Sequence, residues 1–466
     1  MNRVLTVIVA LSFFAACGGD GGDGGGDPGQ GGTGGVGAGG GEAGSGGTGG
    51  DPGTGGTGGT GGVGGTGGTG GTPASTNVTG VVVGEAGDPM AGVLVALDGN
   101  FADFRVTGLD GRFRFDDVGS TYDLTVAHGD LTLHLAELRR RNPVVPVGIG
   151  LTAFRSVDVS GVVTSEDGSL FPLGADQEVF LAPAGLEPGP QSMTAGDGTF
   201  ASVGWCGPTE VRTRVVAVAV KRDTEGRLRF LATGRSDELA LSSGTPFPDP
   251  LAIELGSDPV EVAETTFSVE PGVYSSSTQV GLASFRVSAA TFKMDVPVFL
   301  TGDGEASFPA DGARVYFQGY DTDGNEALVL EDVVFGGVTG LALPQQTTLQ
   351  VVRPVTGASG VSQTPVVAWT PVANVTSYWV MLTGPSFHRS YFLPPSASTL
   401  TVEDFGELGR TLPAGERIDL EVWAIIGEGL DVETLTDGTG AGFGRIYFEP
   451  TIRRVFRSNG SFNTAP

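Results

Sequence analysis

From Asn77 onward, apolar and polar residues alternate over short runs, and Asp-Gly, Gly-Asp and Pro turns separate one run from the next. Successive side chains of a strand point to opposite faces, so this period of two is typical of strands with one buried face. No run keeps the 3.6-residue period of a helix for more than two turns. The pattern therefore predicts an all-β chain.

Two N-terminal segments are expected to lie outside the folded part. Arg3 precedes an uncharged apolar run, Val4 to Ala16, which is shorter than the roughly 20 residues of a membrane-spanning helix and has the length of a signal-peptide core. The 55 residues from Gly18 hold 34 of the 81 glycines and almost no apolar side chains, so they cannot offset the entropy of ordering. We expect a signal peptide over 1–17 and a disordered tether over 18–75.

The apolar run ends in Phe14-Ala15-Ala16-Cys17-Gly18, which resembles the cleavage box of bacterial lipoproteins. In that family small residues precede a cysteine whose thiol takes a diacylglyceryl group, although Leu usually stands where this chain has Phe14. The resemblance implies that Cys17 becomes a lipidated N-terminus anchored in the outer membrane, facing the periplasm or the cell surface. The alternative is ordinary secretory cleavage after an Ala. If Cys17 is acylated, the only other cysteine is Cys206, so no intrachain disulfide is expected.

Charge and motifs exclude several classes of function. The chain has 53 acidic and 26 basic residues and a net charge of −27, which argues against nucleic acid or an anionic membrane surface as a partner. No G-x-S-x-G, H-E-x-x-H or Gly-x-x-x-x-Gly-Lys occurs, so hydrolase, metalloprotease and P-loop functions have no sequence support. We expect no cofactor.

Two segments, 76–153 and 154–257, look like copies of one design. The matching stretches are Val78–Val82 with Val159–Val163, and Thr107–Phe113 with Thr194–Phe200. A tandem repeat is the economical interpretation. The first copy resembles the carboxypeptidase regulatory-like domain, a small prealbumin-type β-sandwich, over about Asn77 to Gly150. The resemblance implies an accessory fold without catalytic residues. The second copy is looser.

The remaining sequence divides into an unrecognised β-rich region, 258–350, and a C-terminal region, 351–466. The latter resembles a fibronectin type III module in Pro365–Pro371, Tyr378–Val380 and Leu412–Ala424. The resemblance implies that Trp369 is buried on the second strand. The pattern departs at Ile418, where the family carries a tyrosine whose hydroxyl anchors a corner of the sandwich by a hydrogen bond.

Parity within the fibronectin-like region predicts an aromatic patch. If Tyr378, Val380 and Leu382 point inward on one strand, and Ile418, Leu420, Val422 and Ala424 on its neighbour, the intervening residues point outward. Those residues are Trp379, Met381, Trp423 and Ile425. Outward tryptophans stack sugars or anchor a protein partner, which makes these four the candidate binding residues. Cover by the preceding domain or by the tail, 450–466, is favoured over an exposed site.

Other candidate sites have weaker patterns. Asp321, Asp323 and Asn325 offer oxygen ligands at alternating positions, with Asp332 further along, but Glu326 replaces the glycine of a calcium loop, so an acidic hairpin turn is favoured over calcium. The three histidines, His128, His134 and His388, are too scattered for zinc. Cys206 lies in a thioredoxin-like Trp-Cys-Gly-Pro whose second cysteine is Thr209, so a buried structural cysteine is expected.

These observations predict a lipid-anchored cell-envelope protein that presents β-sandwich domains for non-catalytic binding of a glycan or protein, or for envelope structure. One alternative is an enzyme such as a glycoside hydrolase, with its carboxylates in 258–350. The candidates there are Asp295, Asp303, Glu305, Asp311 and Asp321. The other is a passive spacer or assembly subunit, distinguished by the lack of an exposed aromatic patch.

Overall fold

The computed structural model of the protein describes most of the chain after Thr76. The described residues are 77–84, 89–147, 154–166, 168, 170–184, 187–188, 192–206, 209–224, 228–256, 262–287, 290–299, 304–309, 313–333, 338–385, 387–404, 411–428, 431–438 and 452–466. The predicted signal peptide with Cys17 and the predicted tether lie outside them. Within them, 32 strands, one 3-10 turn and one short α-helix occur, and no helix is long and apolar enough to cross a membrane. The all-β prediction, as tandem β-sandwiches, is confirmed.

The first sandwich packs a three-stranded sheet on a four-stranded one. Its strands are β1 (Val78–Val83), β2 (Leu94–Leu97), β3 (Arg105–Val106), β4 (Arg112–Phe115), β5 (Tyr122–His128), β6 (Leu131–Leu138) and β7 (Val144–Pro146). Strand β1 pairs antiparallel with β4 and parallel with β7. In the other sheet β2 lies between β3 and β5, and β5 pairs with β6.

The second sandwich repeats this topology with three additional short strands. Its strands are β8 (Phe154–Ser165), β9 (Gln177–Pro183), β10 (Glu187–Pro188), β11 (Ser192–Met193), β12 (Thr199–Cys206), β13 (Glu210–Thr213), β14 (Val215–Arg222), β15 (Leu228–Arg235), β16 (Leu239–Ser242) and β17 (Leu251–Leu255). Strand β8 pairs antiparallel with β12 and parallel with β17. Strand β9 lies between β11 and β14, and β14 pairs with β15 as a hairpin.

One close contact explains why both copies keep a glycine in their first strand. Gly80 lies directly across from Phe113, and Gly161 lies directly across from Phe200. In each copy the phenylalanine ring covers the glycine so closely that an added Cβ would overlap it. The glycine therefore makes room for a large side chain in the core, which is a packing requirement rather than a turn requirement.

The third sandwich, 258–350 in the sequence-based division, has the same topology, which sequence inspection did not detect. Its strands are β18 (Val262–Glu270), β19 (Ser277–Val287), β20 (Ala290–Phe299), β21 (Gly304–Pro309), β22 (Arg314–Tyr320), β23 (Glu326–Asp332) and β24 (Val338–Ala342). Strand β18 pairs antiparallel with β21 and parallel with β24, β19 lies between β20 and β22, and β22 pairs with β23. At the position of the glycine–phenylalanine pair it has Thr265 opposite Ala306, both buried.

The C-terminal module contributes a small sheet and four long strands. Its elements are β25 (Val351–Arg353), β26 (Ala358–Val361), β27 (Val366–Trp369), β28 (Ser377–Gly384), β29 (Phe387–Leu393), β30 (Thr399–Thr401), β31 (Arg417–Gly427), α1 (Val432–Leu435) and β32 (Ile452–Thr464). Strands β25, β27 and β30 form a separate three-stranded sheet. As the fibronectin-like pattern implied, Trp369 is buried, and its ring contacts Tyr378 with centroids 5.3 Å apart.

The long strands of this module join the first and third sandwiches into one sheet. Its order is β20-β19-β22-β23-β32-β31-β28-β29-β6-β5-β2-β3, with β26 beside β32. Strand β29 pairs parallel with β6 of the first sandwich, and β32 pairs antiparallel with β23 of the third. We call these pairings the first seam and the second seam. Both outer strands of the module's large sheet are therefore paired with a neighbouring sandwich.

The joined sheet is covered on both faces. One face and the β4-β1-β7 sheet share an apolar core that includes Phe113 and Leu135. The opposite face shares a core with the β21-β18-β24 and β25-β27-β30 sheets, represented by Phe267 and Trp369. The second sandwich has its own core around Trp205.

Candidate functional site at the seams of the joined sheet

Alternation along β28 and β31 correctly predicts the face of the sheet on which each residue lies, but it does not give the exposure of the side chains. Tyr378, Val380 and Leu382 lie in one core together with Ile418, Leu420, Val422 and Ala424, whereas the four candidate binding residues lie on the other face. All four are buried: Trp379 is 4% exposed, Met381 8%, Trp423 7% and Ile425 0%. The favoured interpretation, that these residues are covered, therefore holds, and they do not form an open binding surface.

The neighbouring elements explain this burial. The apolar cluster that contains the four residues also contains Leu133 of the first sandwich, Leu328 of the third and Leu435 of α1. The chain between β31 and β32 passes close to β7, where the Val144 amide donates to the Thr436 carbonyl oxygen at 2.9 Å. The cover is thus the first sandwich and the α1 segment, whereas β23 of the directly preceding domain and β32 of the tail, the two covers named from the sequence, lie beside the module's strands in the same sheet.

The two tryptophans form a cross-strand pair. Trp379 on β28 lies directly opposite Trp423 on β31, with ring centroids 5.6 Å apart and planes tilted by 41°. The indole Nε1 of Trp423 donates to Glu421 Oε2 at 2.9 Å, and the Arg457 guanidinium lies 5.3 Å from the Trp423 ring centroid. Aromatic pairs and cation–π contacts of this kind add stability beyond the area that they bury.

The second seam carries a buried ion pair next to this aromatic pair. Glu326 on β23 and Arg457 on β32 are direct cross-strand partners, and Arg457 Nη2 lies 2.7 Å from Glu326 Oε2. Gln318 Nε2 donates to Glu326 Oε1 at 2.6 Å. Burial raises the pKa of the Glu326 carboxyl, because the charge of Arg457 and the hydrogen bond from Gln318 offset the loss of solvent only in part. Sequence inspection missed this pair, which only the pairing of distant strands brings together.

The first seam is also polar at its centre. His134 on β6 lies opposite Tyr391 on β29, with ring centroids 5.6 Å apart, and His134 Nδ1 is 2.9 Å from Thr125 Oγ1. Burial lowers the pKa of His134 and raises the pKa of Tyr391 to about 12. His388, on the same β29 strand, has a pKa lowered by burial to about 4. These histidines are packing residues, and among the described residues no group of three His, Cys, Asp or Glu side chains could hold a metal ion.

The candidate calcium loop is a hairpin turn between β22 and β23. The Asp321 carboxylate accepts hydrogen bonds from the Asp323 and Asn325 amides, from Asn325 Nδ2 and from Thr347 Oγ1, at 2.7–2.9 Å. Asn325 Oδ1 in turn accepts from Ser458 Oγ at 2.7 Å. The side-chain oxygens of Asp321 and Asn325 are therefore occupied by hydrogen bonds, some from within the turn and the others from Thr347 and Ser458. Burial opposes ionisation of Asp321, but these hydrogen bonds outweigh it and lower the pKa of the carboxyl.

The carboxylates considered for glycoside hydrolysis do not show such chemistry where they are described. Asp303 and Asp311 lie outside the described residues, as does the side chain of Asp295 on β20. Glu305 is exposed on β21, and the lowered pKa of Asp321 is opposite to the raised pKa that a general acid needs. Cys206 ends β12, next to the fully buried Trp205, and its side chain is likewise outside the described set.

Comparisons with known proteins add little beyond fold class. No family model and no curated protein matches the chain. Among solved structures, the chain is similar to the FN1–FN3 domains of chicken CNTN1, with 9% identity, 62% of this chain and 90% of that chain covered, and a TM-score of 0.15. It is also similar to two B repeat units of the collagen binding protein of Staphylococcus aureus, with 11% identity, 84% and 100% covered, and a TM-score of 0.12. A tetra-tandem repeat from the extending region of a large adhesion protein matches with 12% identity, 84% and 99% covered, and a TM-score of 0.16. These scores are too low to carry an argument about function.

Proposed function

We propose that the chain is a non-catalytic structural component of the bacterial cell envelope, anchored to the outer membrane by a lipid on Cys17. In this proposal the carboxypeptidase regulatory-like sandwiches and the fibronectin-like C-terminal module act as one assembled body. The predicted tether, 18–75, separates that body from the membrane; as a Gly-rich coil it would span roughly 40 Å.

The observation that carries the proposal is the pairing of the C-terminal module at both of its outer strands. Interfaces between domains of one chain are usually of modest size and fairly polar, and such domains move relative to one another unless the interface is large and hydrophobic. Here β29 and β32 extend the sheets of two other sandwiches, and Trp379 and Trp423 are buried in a core that the module shares with both of them. A protein whose large aromatic side chains hold its own domains together is suited to a structural role.

The burial of the tryptophans and the lowered pKa of Asp321 weigh against the alternative functions. Glycan or protein binding through Trp379 and Trp423 would require both side chains to be accessible, and both are buried. A glycoside hydrolase would require a carboxyl with a raised pKa in a cleft, a role that the hydrogen-bonded Asp321 does not fit. A structural component, or an assembly subunit of the envelope, needs neither.

Lipid labelling combined with protease treatment of intact cells tests the proposal. Cells expressing the wild type, Cys17→Ser or the matched control Cys206→Ser are grown with a labelled fatty acid, and the membrane fraction is analysed. We expect label and membrane association in the wild type and in Cys206→Ser, and loss of both in Cys17→Ser. Equal labelling of all three, or none in the wild type, would refute the lipid anchor.

Protease treatment of intact cells distinguishes the two orientations, and a deletion strain distinguishes the two roles. Digestion without lysis places the body outside the cell, and protection until lysis places it in the periplasm. A deletion strain with unchanged resistance to detergent and osmotic shock, but with lost adhesion to a glycan or protein, would contradict the structural role.

A further inference from the structure

Strand β32 differs in charge from the chain as a whole. The segment 452–466, which contains β32, has Arg453, Arg454 and Arg457 and no Asp or Glu. The net charge of −27 therefore lies entirely on the rest of the chain. A basic segment of this kind is attracted to the acidic body of its own chain, and equally to the acidic body of any other copy.

The strands on either side of β32 form a slot that is complementary to this charge. Strand β31 pairs with β32 along its length, while β23 pairs with its first half and β26 with its second half. Strand β23 carries three acidic residues and no basic one. Arg457 Nη2 lies 2.7 Å from the buried Glu326 carboxylate, and Arg453 Nη1 lies 2.8 Å from Asp332 Oδ2. We call the space between β31 and the two strands β23 and β26 the β32 slot.

Polar contacts make the slot specific for the sequence of β32. Ser458 is buried; its hydroxyl donates to Asn325 Oδ1 at 2.7 Å and accepts from the Val351 amide at 3.0 Å. Strand β31 buries six apolar side chains, whereas among the described side chains of β32 the buried apolar ones are Val455, Phe456 and Phe462. A strand that is recognised by placed polar partners fits one sequence and rejects others, because a mismatched strand would leave buried polar groups unpaired.

We propose that the β32 slot accepts the 452–466 segment of a second copy, so that two copies associate by reciprocal exchange of this strand. Every contact that β32 makes in its own chain is available to the same segment of another copy in the same register. Each exchanged strand brings a basic segment to an acidic slot, which offsets the repulsion between two acidic bodies. The exchange needs no lipid on Cys17, so it should persist in a chain that lacks the anchor.

The protein concentration decides between the exchanged dimer and the monomer, because the two forms have the same strand contacts. A segment joined to its own slot competes with an effective concentration on the order of 1 mM. The wild type should therefore be mostly monomeric at micromolar concentrations. The exchanged dimer should increase when the chain is refolded at concentrations that approach the effective concentration.

Two charge variants of the folded chain, 76–466, test the exchange. Glu326→Arg and Arg457→Glu, made in separate chains, each place like charges at a buried cross-strand pair. When the two chains are unfolded in urea and refolded together, reciprocal exchange brings opposite charges together in both slots. We expect a one-to-one dimer of the two variants by gel filtration with light scattering, at least about a hundredfold tighter than the wild-type dimer, because each relieved like-charge contact is worth at least about tenfold. The matched control carries both substitutions in one chain, which restores opposite charges without exchange, and it should behave as the wild type does.

A disulfide measures the exchange without changing the buried ion pair. Asp419 on β31 and Ser461 on β32 are direct cross-strand partners, and neither is buried. In a Cys206→Ser background, Asp419→Cys in one copy and Ser461→Cys in another should form an interchain disulfide after joint refolding, in a yield that rises with protein concentration. Glu210→Cys with Ser242→Cys, cross-strand partners on β13 and β16, is the matched control and should give no such link. With the cysteines of the first pair in one chain, an intrachain disulfide should hold β32 in place and keep the chain monomeric.

Four results would overturn the inference. They are a mixture of the charge variants that binds no more tightly than the wild type, a single charge variant that dimerises as strongly as the mixture, equal cross-linking of the two cysteine pairs, and a dimer formed by the chain whose β32 is held by the intrachain disulfide. If neither charge variant folds, alone or together, as judged by circular dichroism, the interchain disulfide in the chain with its native ion pair decides: no link above that of the control pair refutes the exchange.

Discussion

The cross-strand tryptophans provide the most direct test of the joined sheet. Because Trp379 and Trp423 are buried where the C-terminal module meets its neighbours, replacing either by Ala should lower the free energy of unfolding. Removing a buried tryptophan costs about 3–5 kcal/mol. Trp423→Ala should be the more costly of the two, since it also removes the indole donor to Glu421 and the surface on which Arg457 rests.

The coupling between the two rings gives a second, independent number. Rings in contact at 5.6 Å should make the double variant less destabilised than the sum of the single variants, by about 0.5–1.5 kcal/mol. Trp423→Phe keeps most of the packing but leaves Glu421 without its indole donor, and should cost about 1–3 kcal/mol. The assay is urea unfolding of the whole chain followed by far-ultraviolet circular dichroism, with the free energies compared as a double-mutant cycle.

A control and a contrary result complete the test. Val106→Ala, at an exposed position of the first sandwich, should change the free energy of unfolding by no more than about 0.5 kcal/mol. If both tryptophan variants behave like this control, and instead lose binding to a glycan or an envelope protein, the two side chains are accessible. The joined sheet would then be the wrong description of the molecule.

Four further predictions follow from the second seam, the hairpin turn, the connection to the C-terminal module and the core. Burial raises the pKa of Glu326, so the native state binds this proton more tightly than the unfolded state does. The free energy of unfolding should therefore fall as the pH rises above the ordinary glutamate range. Glu326→Gln should remove this part of the pH dependence, as urea titrations at several pH values will show. Added calcium should leave the melting temperature unchanged, whereas Asp321→Ala should cost at least about 2 kcal/mol because it leaves buried donors without an acceptor, as calorimetry and urea unfolding will show. A protease site inserted between the exposed residues Gln345 and Gln346 should allow cleavage without separation of the two fragments on gel filtration, because both seams persist. Gly80→Thr should lower stability by at least about 1–3 kcal/mol through overlap with Phe113, and adding Phe113→Ala should restore part of it in the same unfolding assay.

The sequence predicts the structural features that depend only on residues close together in the chain. The period of two correctly assigns Val380 and Val422 to one face of the sheet, and Trp379 and Trp423 to the other. It does so because alternation is a property of the strand itself. The all-β class and the matching first strands of the first two sandwiches follow from equally local signals.

The third sandwich could not be recognised from the sequence because different residues occupy the corresponding positions of its core. In the first two copies a glycine lies under a phenylalanine, and both residues appear in the repeated sequence motifs. The third copy has Thr265 and Ala306 at the corresponding cross-strand positions, so a larger residue on one strand accompanies a smaller one on the other. A core tolerates different combinations of apolar and small side chains, so the motif can be lost while the fold is kept.

Which element covers the outer face could not be predicted in the same way, because the cover comes from strands more than 200 residues away in the chain. One local signal was nevertheless present. Tyr378–Leu382 and Val422–Ile426 are continuous apolar runs, without the polar alternation of a strand that has one face in water. A run of this kind is typical of a strand buried on both faces. The two runs therefore already required a cover on the outer face, and the first sandwich and the α1 segment supply it.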